Sequence, residues 1–292
     1  MPRRRMMRVG LALVALFAAV LPPVGARAAE GDQALIEAQP GLVASTVAAM
    51  QAQRPGVADV FFVGFAGYGG QRVFHREATF ARDVFAQRYG AQRRSLLLVN
   101  DESDRDTLPL ASRTNLRHAL RLIGARMDPE EDVLVLLLTS HGTEDELEVR
   151  NGDLPLAMLQ PGDVRAALDA AGIRWRVVIA SACFAGIFIR PLRDASTLVV
   201  AAADARHSSF GCDDERELTW FGEAFLRDAL PRAGSLEEAF AMARGIIMKR
   251  ERVERFVHSR PQIHVGSAIR AKLAQLEASR TGSQLAPAAQ VN

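Results

Sequence analysis

Past residue 56 the chain alternates short apolar runs with stretches whose apolar residues recur every three or four positions. That alternation predicts an α/β domain on a mainly parallel sheet, from about 56 to 256. Strands are expected at Asp59 to Phe65, Ser95 to Asn100, Val133 to Thr139, Arg176 to Ser181 and Thr197 to Ala202. Several are apolar without alternation, as strands covered on both faces must be. Helical spacing follows Thr114, where Leu116, Ala119, Leu120, Ile123 and Met127 share a face, and Asp163, where Val164, Ala167, Leu168 and Ala171 do. Ser235-Leu236-Glu237-Glu238 reads as a capping box opening a third helix, with Leu236, Phe240, Ala243 and Ile247 on one face. Residues 29–55 predict a helical N-terminal extension. The segment 257–292 predicts a C-terminal tail, frayed from about Ser279, where Ser, Gln, Ala, Pro and Gly take over.

The first 28 residues carry a different pattern: a basic start, an apolar run from Val9 to about Val20, a Pro22-Pro23 break and the small-x-small triplet Ala26-Arg27-Ala28. This is the layout of a secretory signal peptide cleaved near Ala28. The apolar run is shorter than the ~20 residues a bilayer span needs, and no other segment reads as a span. Periplasmic or secreted location follows as an expectation, with no stable membrane span after cleavage. Net charge is +2, and 34 of the 36 basic residues are Arg. Loss of Arg3, Arg4, Arg5, Arg8 and Arg27 with the leader turns +2 into −3, so nucleic acid is not an expected partner. Export makes a Cys183–Cys212 disulfide conceivable, but a core of this size needs no staple, which favours a functional thiol at Cys183.

In parallel α/β sheets, chemistry gathers beyond the carboxyl ends of strands, where backbone amides become free. One apolar run, from Val133, ends in Thr139-Ser140-His141-Gly142; another, from Val177, ends in Ser181-Ala182-Cys183-Phe184-Ala185-Gly186. If the two strands are neighbours joined by a crossover helix, His141 and Cys183 emerge side by side. A free thiol titrates near 8.5 and needs a partner to react. His141 can act as general acid toward a leaving amine and then as general base for the hydrolytic water. The N–H groups of Gly142 and Cys183 are the natural oxyanion donors. Taken singly, a Cys after a buried strand is most often an inert small hydrophobe, and a His at a strand end is commonly a hydrogen-bonded loop residue. Two complementary groups at two strand ends tip the balance.

This set of residues resembles the legumain family of cysteine peptidases, within the caspase-like clan, over roughly residues 56 to 250. The stretch from His141-Gly142 to Leu147-Glu148-Val149 is similar to the segment after the family's catalytic His, and Ser208-Ser209-Phe210-Gly211-Cys212 to its specificity loop. The resemblance implies a caspase-like αβα sandwich and a cysteine endopeptidase, with Cys183 as nucleophile and His141 as its partner. It implies a pocket for an asparagine side chain, matched here by Arg76 and Glu223. A cation and a carboxylate would satisfy both ends of an amide, although both residues also read as exposed helix charges. Acidic residues that flank the family's Cys are replaced by Ser181 and Phe184, which leaves Asn and Asp both open; Ser181 still offers a hydroxyl to substrate.

No cofactor and no metal are expected: His75, His118, His207, His258 and His264 form no metal-ligand spacing. Glu144-Asp145-Glu146 reads as a solvated turn. Phe65-Ala66-Gly67-Tyr68-Gly69-Gly70 lacks the P-loop Lys and reads as a flexible loop beside the active edge. Two other readings stay open: a catalytically silent envelope interaction module, and a redox-regulated protein in which Cys183 and Cys212 pair reversibly. A protein or peptide is the expected substrate.

Overall fold

The computed structural model describes residues 24–285, with side chains for 32–280. The expected leader, residues 1–28, lies largely outside the described residues. Helix α1 (Val24–Ala48) leads into β1 (Val60–Ala66), α2 (Val73–Tyr89), β2 (Ser95–Val99), α3 (Arg113–Gly124), β3 (Val133–Thr139), α4 (Pro161–Ala170) and β4 (Trp175–Ser181). There follow a short α5 (Ile189–Leu192), β5 (Thr197–Ala201), a single turn α6 (Trp220–Gly222) that continues as a π-helical stretch Glu223–Ala229, α7 (Leu236–Glu254), β6 (Gln262–Val265) and α8 (Ser267–Leu285).

The six strands form one sheet in the order β2-β1-β3-β4-β5-β6, all parallel except β6. Strands β1, β3 and β4 are buried at every position, because helices cover both faces of the sheet. On one face Phe62, Leu137, Ile179 and Val200 pack with Phe74 and Phe85 of α2, Phe240 of α7 and Ile269 of α8. On the other, Phe61, Phe65, Leu136 and Val178 pack with Val43 and Val47 of α1, Leu116 and Leu120 of α3, and Leu168 of α4. This is the αβα sandwich expected from the alternating pattern.

Helix ends follow local chemistry. Ser112, two residues ahead of Thr114, caps α3 by accepting from Asn115 N–H. Gln160 and Asp163 form a reciprocal cap at α4. Ser235 caps α7, while the Glu238 carboxylate accepts from Gly234 N–H at 2.7 Å.

Two segments differ from expectation, and the N-terminal extension, helical as expected, gains a partner. The tail expected after 256 supplies β6 and α8, and Ile269 and Leu276 enter the core. A four-residue strand is too short to stand out against its surroundings in the sequence. The N-terminal extension docks on α3: the buried Gln39 accepts from Leu110 N–H at 2.8 Å and Asn115 Nδ2 at 2.9 Å. The glycine-rich segment after β1 is pinned rather than flexible. Gly67 N–H donates to Thr139 O, Gly69 N–H donates to Arg150 O, and Asn100 Nδ2 donates to Gly67 O. A side chain at Gly69 would run into the Asn100 carbonyl, so these glycines serve close backbone approach.

Candidate active site

Strands β3 and β4 are parallel neighbours whose last paired residues are Thr139 and Ser181. His141 and Cys183 therefore each stand two residues past the carboxyl end of adjacent strands, which lie about 4.8 Å apart. Ser140 N–H reaches Ser181 O at 3.4 Å. At the next step the two tips touch, since a Cβ on Gly142 would collide with the Cys183 carbonyl. Only glycine lets the backbones come this close.

The turn after Cys183 is tight. Phe184 has φ 56° and ψ 17°, a left-handed conformation that costs a non-glycine residue roughly 1–2 kcal/mol. It is held by Phe184 N–H donating to His207 O at 2.9 Å. The Cys183 thiol, half-buried, donates to Ser209 O at 3.4 Å. Among the described residues, the N–H groups of Gly142 and Cys183 have no acceptor. Two unpaired donors on abutting loops are what a developing oxyanion needs.

The His141 ring sits edge-on to Tyr68 at 4.7 Å and Phe74 at 5.0 Å between centroids. Burial lowers its pKa below the ordinary imidazole value, and the Glu148 carboxylate opposes this in part. The ring is thus biased toward its neutral form. Its Nε2 lies 2.6 Å from Gln71 Oε1, an oxygen that only accepts. This contact puts the proton on Nε2 and leaves the Nδ1 lone pair to receive one. Sequence reasoning missed Gln71: an uncharged residue in a glycine-rich loop carries no signal, and only the folding of that loop over β3 brings it to His141.

Arg76 and Glu223 do not meet. The Arg76 guanidinium donates to the backbone carbonyls of Asp214 and Arg216. Glu223 is held by Arg216 at 2.6 Å, Arg250 at 2.7 Å and Arg227 at 3.4 Å. Burial raises the Glu223 pKa, but the hydrogen bond from Arg250 and the three nearby cations outweigh it, and the net shift is downward. Arg216 thus links the two: its carbonyl accepts from Arg76 and its guanidinium pairs with Glu223. Both side chains are partly exposed, whereas Ser181 is sealed. The Ser181 hydroxyl lies 3.2 Å from Thr219 Oγ1, facing inward.

Cys212 is a free thiol whose pKa is raised by burial first and by Cys183 second. Glu144-Asp145-Glu146 is a turn with Glu144 and Asp145 exposed and Glu146 half-buried, closed by Thr143 N–H donating to Glu146 O. Among the described residues, one grouping brings three metal-type ligand atoms within 4.8 Å: His75, Asp101 and Asp104. Arg72 Nε lies 3.2 Å from the same Asp101 oxygen that His75 approaches at 3.3 Å, so Asp101 already has a cationic partner.

A parallel αβα sandwich with a thiol and an imidazole at neighbouring strand ends has the layout of a caspase-like hydrolase. The family model for peptidase C13 matches residues 122–271, half of the chain and all of the segment from β3 to β6. The chain belongs to the peptidase C13 family, the legumain family of cysteine-type peptidases. No curated protein matches it. His141, Gly142, Ser181, Cys183 and Glu223 fall inside the family match; Gln71 and Arg76 fall outside it.

Proposed function

We propose that the protein is an exported endopeptidase in which Cys183 and His141 form the catalytic dyad. The observation that carries this reading is the abutment of the Gly142 and Cys183 backbones, with both N–H groups free among the described residues. In the mechanism, Cys183 Sγ attacks the substrate carbonyl as its proton passes to His141, and the oxyanion sits against the two N–H groups. Collapse of the intermediate breaks the C–N bond while His141 hands the proton to the leaving amine, which leaves a thioester. Water, deprotonated by the now neutral His141, hydrolyses it. An imidazole kept neutral by its aromatic surroundings, with Nε2 held by Gln71, is suited to accept that proton.

Cleavage after Asn or Asp is the specificity we propose, with Arg76 and Glu223 as the polar ends of the pocket and Ser181 in the layer beneath. Export is supported by the charge and apolar pattern of the first 28 residues. In the described part of the chain no helix is long and apolar enough to cross a membrane.

The test is turnover of fluorogenic peptides bearing Asn, Asp, Ala or Lys before the scissile bond, combined with iodoacetamide labelling. The expected result is turnover of the Asn or Asp peptide, abolished in Cys183→Ala and kept in Cys212→Ala, with labelling at Cys183 that slows in His141→Ala. Silence of the wild-type chain toward a broad peptide library would overturn the dyad and favour an interaction module. Faster cleavage after Ala or Lys would overturn the pocket assignment alone. Mass spectrometry of the chain recovered from its native host checks export: an intact Met1 terminus on the bulk of the protein would count against it.

A further inference from the structure

One ionisable side chain behind the site has no place in the mechanism above. Glu77, in the second turn of α2, is fully buried. Its Oε1 accepts from Thr139 Oγ1 at 2.9 Å, and its Oε2 accepts from Thr219 Oγ1 at 2.6 Å and Thr219 N–H at 3.0 Å. Ser181 Oγ closes the network through Thr219 Oγ1. A side chain on Gly222 would collide with the carboxylate, and Gly222 N–H donates to Thr219 Oγ1 at 2.9 Å. Burial pushes the Glu77 carboxyl above its ordinary pKa, and the hydrogen bonds from Ser181, Thr219 and Thr139 pull it back.

The partners are not scattered. Thr139 is the last residue of β3, two before His141, and Ser181 is the last of β4, two before Cys183. Thr219 caps the turn that leads into Glu223. One carboxylate therefore ties together the three segments that carry the thiol, the imidazole and the acidic end of the pocket. All three are tied to α2, the helix that also carries Arg76.

We propose that Glu77 is a positioning residue that sets the separation of the Cys183 and His141 tips. This rests on the dyad reading above. The two oxygens of a buried carboxyl group can accept several bonds, and here they gather two hydroxyls and an N–H at one point. The apolar core beneath can hold the strands, but it exerts no directional control over where they stop. Misplacement of reacting groups by about 1 Å costs roughly 10²-fold in rate, so the anchor acts on kcat more than on KM.

The experiment uses the full chain, with kcat normalised by titration of reactive Cys183 so that unfolded protein does not count. In Glu77→Ala, kcat per titrated site should fall about 10²-fold while KM moves less than about threefold. Glu77→Gln should fall about tenfold, because its amide nitrogen must face either the Thr219 N–H or a Thr139 hydroxyl that has to turn round. Thr139→Val should lower kcat, and Thr139→Ser, which keeps the hydroxyl, should restore it. If kcat per titrated site in Glu77→Gln and Thr139→Val stays within twofold of the wild type, Glu77 only fills space and the proposal fails. Should Glu77→Ala not fold, those two variants decide the question. Failure of the dyad reading is seen separately, as turnover that survives Cys183→Ala.

Discussion

The two ends of the sheet are built on opposite principles. At the amino ends of the strands, charge meets charge. Asp59, 2 % exposed, pairs with Arg54 at 2.7 Å and with the buried Arg94 at 3.1 Å, and its N–H donates to Asp132. At the carboxyl ends, the thiol faces a carbonyl, the imidazole faces an amide and two aromatic rings, and two N–H groups are left unpaired among the described residues. The lower end pairs the buried Asp59 with two arginines, leaves Arg94 Nε without a partner among the described residues, and holds the strands together. The upper end leaves donors and a lone pair unspent, at some cost in stability, and these are the groups that a reacting amide can use.

This contrast can be broken from either side. The largest effect is expected from Cys183→Ala, which should lower kcat by roughly 10⁴-fold or more while the melting temperature holds. His141→Ala should lower kcat about 10²–10⁴-fold, again with the fold intact. At the other end the pattern should reverse. Asp59→Ala strands the buried Arg94 and should cost about 3–5 kcal/mol in denaturant unfolding, yet kcat per titrated active site should stay near the wild-type value. A matching fall in kcat would mean that the two ends are not separable. Gly142→Ala should sharpen the picture from above: the added methyl pushes the loop tips apart and should lower kcat by about 10²-fold.

The smallest effect is a shift in pH dependence. Burial holds the His141 pKa below 6.5, so the acid limb of kcat/KM should lie below that value, with activity lost only as pH falls through the depressed pKa. Glu148 raises the His141 pKa, so Glu148→Gln should move the limb further toward acid. An acid limb above 6.5 would contradict the aromatic burial of the ring. The same depression makes the unfolded chain bind the proton first, so stability should decline as pH drops below 6.5.

Much of this protein could be read along the chain. Short unbroken apolar runs such as Val133 to Thr139, too brief for a typical helix, read as strands covered on both faces, and they gave the strands to within a residue or two. The same logic placed His141 and Cys183 at neighbouring strand ends, because parallel strands joined by one helix leave little choice of side. Strand β6 could not be read in this way, since Gln262 to Val265 is short and only partly buried.

What the sequence determined by itself was the pattern of burial, and with it the sheet, the helices and the two loops that carry sulfur and imidazole. Tertiary structure alone decided which polar groups meet: Gln71 with His141, Glu77 with Thr139 and Thr219, Arg216 between Arg76 and Glu223. Burial depends on the local period of apolar residues, which a single strand or helix displays in its own sequence. A hydrogen bond between residues 62 or 142 positions apart depends on how separate elements are brought together, and no local pattern records that.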